Sequence, residues 1–114
     1  MEKIIVSLVS RQTMQNIIPA IFIKPSKVVL LTTEQEFATA QNIKIVLEKN
    51  KIPVDIHPNM IDAYKVETTI SASREIINQY PGYELILNFT GGTKLMSIPA
   101  YEEFRRNGCK LLYC

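Results

Sequence analysis

Five short stretches punctuate the chain, Lys3 to Val9, Lys27 to Leu31, Pro53 to His57, Glu84 to Asn88 and Cys109 to Tyr113, and the first, second and fourth are built on almost uninterrupted apolar runs. Runs of this length without polar alternation read as strands covered on both faces, the pattern of a parallel sheet. Between them, apolar residues return every three or four positions, the spacing of helices with one buried face.

The first helix is expected after Thr13, a residue suited to capping, with Ile17, Ile18, Ile21 and Phe22 as its apolar stripe and Pro19 shortening or kinking it. The second is the most regular. Thr33 and Glu36 match a capping box, Phe37, Ala40, Ile43 and Leu47 share one face, and Asn50 with Pro53 ends the element. A third helix is expected from about Asp62 to Gln79, with Val66, Ile70, Ser73 and Ile77 on one line, Thr69, Ile76 and Tyr80 beside it, and Pro81-Gly82 as its stop. The fourth carries Leu95, Ile98, Tyr101 and Phe104, is interrupted by Pro99, and closes at Arg105-Arg106-Asn107-Gly108.

Strands alternating with helices in this way predict an α/β protein: a Rossmann-like three-layer sandwich with a mainly parallel five-stranded sheet and helices on both faces. With the usual strand order 3-2-1-4-5, the sheet reverses direction between the first and fourth strands, and a crevice opens outside their carboxyl ends. Two polar loops meet there. One is Ser10-Arg11-Gln12-Thr13; the other is Asn88-Phe89-Thr90-Gly91-Gly92-Thr93-Lys94-Leu95-Met96.

The second loop holds two of the chain's four glycines, flanked by threonine hydroxyls and followed by a lysine. Bare amides, hydroxyls and a cation at a helix N-terminus suit an anionic group, because the first N–H groups of a helix lack internal partners. A plain glycine turn capped by Thr93, with Lys94 solvated, is the simpler alternative.

Composition narrows the ligand. The 114 residues fit one domain, 1–114, and no apolar run approaches the roughly 18 residues of a membrane span, so a cytoplasmic protein with no membrane partner is expected. A net charge of +2 is too small for duplex nucleic acid yet leaves room for a small anion. Cys109 and Cys114 are five residues apart in an expected strand, roughly 16 Å against a disulfide limit of about 7 Å, and read as free thiols. A lone histidine, His57, expected on the surface, leaves no metal site and no Ser/His/acid set. The first turn lacks Gly-x-Gly-x-x-Gly and the second strand ends in Leu31-Thr32-Thr33, which argues against a dinucleotide; no cofactor is expected.

The Asn-x-Thr-Gly-Gly-Thr-Lys-x-Met string at 88–96, with Val9-Ser10-Arg11-Gln12-Thr13 after the first strand, resembles the CARF domain, the CRISPR-associated Rossmann fold, of the sensor type found in type III CRISPR ancillary effectors. The resemblance covers the chain from first strand to last. It implies a homodimer that binds a cyclic oligoadenylate second messenger across its two-fold axis, cyclic tetra-adenylate being favoured over cyclic hexa-adenylate, and that activates a fused or separate effector domain in antiviral signalling. By position, Ser10, Arg11, Gln12 and Thr13 would meet the ligand from the first loop. Asn88, Thr90, Gly91, Gly92, Thr93 and Lys94 would meet it from the fourth, Thr32 and Thr33 would line an adenine pocket, and Met96 would lie near the ligand or the dimer seam. The chain ends at the fifth strand, which fits either an excised sensor or a sensor alone. A competing expectation is a metal-independent ring nuclease in which Lys94 stabilises charge and Ser10 or Gln12 orients the attacking 2′-hydroxyl. A third is an interaction-only Rossmann-like module.

Overall fold

The computed structural model describes residues 2–113. Its elements follow in the order β1 (Lys3–Leu8), α1 (Met14–Ile23), β2 (Lys27–Leu31), α2 (Phe37–Lys49), β3 (Val54–Ile56), α3 (Val66–Gln79), β4 (Glu84–Asn88), α4 (Lys94–Arg106) and β5 (Lys110–Leu112). The strands form a single sheet in the order β3-β2-β1-β4-β5, and each neighbouring pair is parallel. The expected architecture and strand order are therefore observed.

Alternate positions of β1, with Val9 just after it, feed two cores. Ile4, Val6 and Leu8 pack with Ala72 and Ile76 of α3 and Met96, Ala100 and Phe104 of α4. Ile5 and Val9 pack with Ile17 and Ala20 of α1 and Ala40, Ile43 and Leu47 of α2. This is the period-2 rule of a strand applied to a central strand with helices on both sides.

Helix faces are where the structure departs from expectation. On α1 the buried residues are Asn16, Ile17, Pro19 and Ala20, whereas Ile18, Ile21 and Phe22 are exposed. Pro19 does not end the helix. On α4 the buried line is Met96, Ala100, Glu103 and Phe104, and Leu95 and Ile98 face outward. A three-residue step drifts around a helix of 3.6 residues per turn, whereas the observed i, i+4, i+7, i+8 line stays on one side. Glu103 is tolerated there because the Arg74 guanidinium of α3 reaches both its oxygens at 3.2 Å.

α3 begins at Val66 rather than near Asp62, because the Asp62 carboxylate accepts the Tyr64 N–H and holds the preceding residues in a turn. α2 begins at Phe37. The Thr33 hydroxyl does accept the Glu36 N–H at 3.3 Å, but the Glu36 carboxylate turns to the Thr39 hydroxyl and to Arg11 instead of closing the capping box. Cys109 is a free thiol whose pKa burial pushes up; its expected counterpart, Cys114, lies outside the described residues.

His57 is buried, not on the surface. Its Nε2 lies 2.7 Å from Glu75 Oε1, and the Asn59 side-chain amide donates to both Glu75 oxygens. Asn59 first and His57 second hold the Glu75 carboxyl below the usual carboxylate range. A depressed folded-state pKa contributes stability above the unfolded value that is lost as pH falls through the folded one. The stability advantage of the parent over a Glu75→Gln variant should accordingly shrink between about pH 5 and pH 3. Urea unfolding across that window tests it; a constant difference would show that the carboxylate is not what those donors hold.

Candidate functional site

β1 and β4 are adjacent and parallel, with Ser7 beside Asn88, so the loops that follow them leave the sheet side by side. Their contact is intimate. A methyl group on Gly91 would sit 2.4 Å from the Leu8 carbonyl oxygen and 3.2 Å from Ser10 Oγ, which requires glycine at that position. Gly92 has φ of +81° and lies against the Met96 side chain. The two loops thus pack against each other at the point where strand order reverses.

Helix N-termini follow the two loops on opposite faces of the sheet. α1 starts at Met14 after Thr13, α4 starts at Lys94 after Thr93, and neither first turn contains an acidic residue to offset the positive dipole end. Both threonines occupy the N-cap position, but neither hydroxyl makes the cap hydrogen bond. Their hydroxyls remain available to an anion. Lys94 is exposed and has no ion-pair or hydrogen-bond partner among the described residues. Ser10 Oγ is enclosed without a partner, beside the Gly91 backbone. Arg11 lies 3.5 Å from Glu36 with its side chain almost fully solvated, and Gln12 accepts a hydrogen bond from Gln15 at 2.6 Å. The arrangement offers amides, hydroxyls and cations to a phosphate-like group.

Four residues expected at the ligand are buried in the chain. Met96 is 4% exposed and belongs to the α3/α4 core. Thr32 is buried, with its hydroxyl donated to the Thr33 carbonyl, and the Thr33 hydroxyl is used at the start of α2. Asn88 is 1% exposed; its Oδ1 accepts the Thr90 N–H at 3.2 Å and its Nδ2 donates to the Gln15 carbonyl at 2.9 Å.

That last bond explains Pro19. Proline has no N–H to give the carbonyl four residues earlier, which is that of Gln15. Asn88 supplies the missing donor from the neighbouring strand, so the helix continues and α1 is tied to the β4 end. Asn88 is a positioning residue. Asn88→Ala is expected to lower stability by about 2 kcal/mol, the cost of two lost hydrogen bonds with one carbonyl left orphaned. In a Pro19→Ala background, where the helix regains its own donor, the same change should cost less. Chemical denaturation of the four variants tests this, and strictly additive effects would overturn the coupling.

A second feature is beyond what the sequence suggests. The loops after β2 and β3 enclose a cleft of about 400 Å³ between Thr33, Glu34 and Gln35 on one side and Met60 to Tyr64 on the other. The strand order, which places β2 beside β3, brings these two loops together.

The family model for the Card1 CARF domain matches residues 4–114. The chain belongs to the CARF family. Among solved structures, this CARF domain is similar to Can2 from Sulfobacillus thermosulfidooxidans in complex with cyclic tetra-adenylate, with a TM-score of 0.84 and 32% identity over 97% of this chain and 31% of that one. It is also similar to Enterococcus italicus Csm6 bound to cyclic hexa-2′-fluoro-hexa-dAMP (TM-score 0.75, 20% identity, 97% of this chain, 32% of that one). A type III CRISPR defence DNA nuclease activated by cyclic oligoadenylate gives a TM-score of 0.79 at 18% identity over 100% of this chain and 19% of that one. At the last two identities the likeness shows the fold alone. This CARF domain spans about a third or less of the length of each. No curated protein sequence matches it. No helix among the described residues is long and apolar enough to cross a membrane.

Proposed function

We propose that this CARF domain senses a cyclic oligoadenylate in type III CRISPR signalling, with cyclic tetra-adenylate preferred, and passes the binding signal to an effector domain. The observation that carries the reading is the packing of Gly91 against Leu8 and Ser10, which sets the loop leading to Thr13 and α1 beside the loop leading to Thr93, Lys94 and α4 and supports an anion site at the two helix N-termini. Support comes also from Can2, whose structure is in complex with cyclic tetra-adenylate and which shares 32% identity with this chain.

The ring is expected to lie across a two-fold axis between two copies. α4 carries Leu95 and Ile98, 50% and 60% exposed, immediately behind the glycine turn, an apolar surface that a second copy would cover. Replacing both with glutamate should give a monomer by light scattering and weaken ring binding at least tenfold; a variant that remained dimeric would remove α4 from the interface. Cytoplasmic localisation follows from this role and is part of the proposal.

The deciding experiment is incubation with labelled cyclic tetra-adenylate and cyclic hexa-adenylate without metal, resolving both binding and products. Tight binding with an intact ring is the expected result. Linear product would move the protein to the ring nucleases, and absence of binding to either ring would leave an interaction module.

A further inference from the structure

The amino ends of the strands carry a row of cations, at the opposite end of the sheet from the proposed anion site. Because the strands are parallel, Lys3, Lys27 and Lys110 open β1, β2 and β5 at one end of the sheet. Lys24 and Lys51, in the turns that lead into β2 and β3, join them. These segments are neighbours: the Ser26 N–H donates to the Lys3 carbonyl at 2.8 Å, and the Val28 N–H to the Pro53 carbonyl at 2.9 Å. With strands about 4.8 Å apart, the row from β3 to β5 is about 19 Å long. Three carboxylates share this end. Asp55 lies 2.9 Å from Lys27, Glu84 lies 3.4 Å from Lys110, and Glu2 is exposed. The side chains of Lys3, Lys24 and Lys51 are exposed and have no partner among the described residues. A lysine after a helix ordinarily offsets the negative dipole end, which accounts for Lys24 and Lys51; Lys3, Lys27 and Lys110 begin strands and have no such task.

Aromatic rings lie among these cations. Lys27 Nζ stands 5.4 Å from the centre of the Tyr80 ring, and Tyr83 packs edge-on against Tyr80 at 5.9 Å. Tyr80, Tyr83, Asn107 and Lys110 line a cleft of about 410 Å³, within the range of small-molecule sites, ~300–1,000 Å³. Tyr83 is 39% exposed, and Phe22, two residues before Lys24 in the last turn of α1, is 82% exposed. At the other end of the sheet the loops after β2 and β3 hold Glu34, Glu36 and Asp62. The net charge of +2 thus conceals a division of charge between the two ends.

We infer that the amino end of the sheet binds single-stranded nucleic acid, with the lysine row on its phosphates and Tyr83 and Phe22 stacking on its bases. The inference goes beyond the oligoadenylate reading and does not depend on it. Single strands are held by a positive surface that follows the backbone and by aromatic rings on which successive bases stack, without regard to sequence. Both parts are present here, side by side. A duplex offers phosphates to the same row but keeps its bases stacked on one another, so the rings gain nothing from it. RNA and DNA strands share the chemistry that the surface reads. The affinity depends on salt, with each phosphate neutralised contributing about 0.7 to the slope of log affinity against log salt.

The test is fluorescence anisotropy over a range of salt concentrations with labelled oligothymidylate, oligouridylate and a mixed-sequence DNA duplex, each about 12 nucleotides long, within the ~4–16 that a small single-strand-binding fold covers. Neither single strand contains adenine, so neither imitates the cyclic messenger. The parent is expected to bind at least one strand, at least fivefold more tightly than the duplex. The combined Lys3→Gln, Lys24→Gln and Lys51→Gln variant should bind at least tenfold more weakly at low salt, with a salt slope reduced by about 2. All three lysines are exposed, and glutamine is no more strained than lysine at Lys24 and Lys51, where φ is +53° and +65°, so thermal unfolding should match the parent. Tyr83→Ala and Phe22→Ala should each lose at least fivefold with the slope unchanged, and Tyr83→Phe should restore the loss. Lys65→Gln, which removes an exposed cation just before α3 at the other end of the sheet, should bind as the parent does. Binding of neither strand by the parent, or parental binding by the triple variant, would overturn the inference and leave the oligoadenylate reading intact. A duplex held as tightly as the strands, or Tyr83→Ala and Phe22→Ala without effect, would overturn the stacking and with it the preference for single strands.

Discussion

Gly91→Ala should unfold at a temperature roughly 10–15 °C below the parent and lose measurable affinity for cyclic tetra-adenylate. The Cβ would stand 2.4 Å from the Leu8 carbonyl oxygen, a backbone atom of the central strand that cannot rotate away. Forcing an extra methyl group into a packed site costs about 2–3 kcal/mol, and each kcal/mol lowers the melting temperature of a domain this size by about 5 °C. The same displacement separates the loop after β4 from Ser10, so the proposed anion site is disrupted as stability falls. Gly82→Ala supplies the comparison. Gly82 has φ of +82° and no atom within 4 Å of a built Cβ, so its penalty is backbone strain alone, about 1–2 kcal/mol, without an effect on binding. Equal melting temperatures for Gly91→Ala and the parent would show that the two loops do not touch in solution.

The fold was legible because its signal is contiguous. Apolar runs such as Leu85-Ile86-Leu87 identify buried strands directly, and alternation of strands with helices leaves few topologies once crossovers are right-handed. The helix faces were less legible because α1 and α4 carry more apolar residues than they bury. Phe22, Ile18, Leu95 and Ile98 are exposed, while Asn16 and Glu103 are inside. Periodicity counts apolar residues and cannot say which of two apolar lines meets the sheet. The polar residues inside are explained only by partners from other elements, such as Arg74 for Glu103.

The candidate site divides in the same way. That Ser10 to Thr13 and Thr90 to Lys94 would meet followed from strand order alone, and the Gly91 contact bears out that juxtaposition. Which residues of those loops turn outward did not follow. Asn88, Thr32 and Met96 stand in or beside the loops and point into the protein. His57 was expected outside because a lone histidine after a short edge strand has no visible partner; Glu75 lies 18 residues away, one helix later. The pairing of Pro19 with Asn88 was invisible for the same reason, since the freed carbonyl and its donor are 73 residues apart.

Lys94→Ala is expected to weaken cyclic tetra-adenylate binding by about 10- to 100-fold while leaving the melting temperature within about 1 °C of the parent. Lys94 is exposed and unpartnered, so its removal strands no buried group and opens no cavity. Its contribution arises only when a phosphate enters. A charge-assisted hydrogen bond to phosphate contributes about 1.5–3 kcal/mol, which converts to that range of affinity at about 1.4 kcal/mol per tenfold. The charge acts together with two unneutralised helix N-termini, so the parent's affinity should fall as salt rises, and the Lys94→Ala affinity should fall less steeply. Lys94→Arg separates charge from geometry. If charge is what the site uses, arginine restores most of the affinity and all of the salt slope. Should Lys94→Ala bind as tightly as the parent at every salt concentration, the ligand's phosphates lie elsewhere, and the glycine turn is a structural turn only.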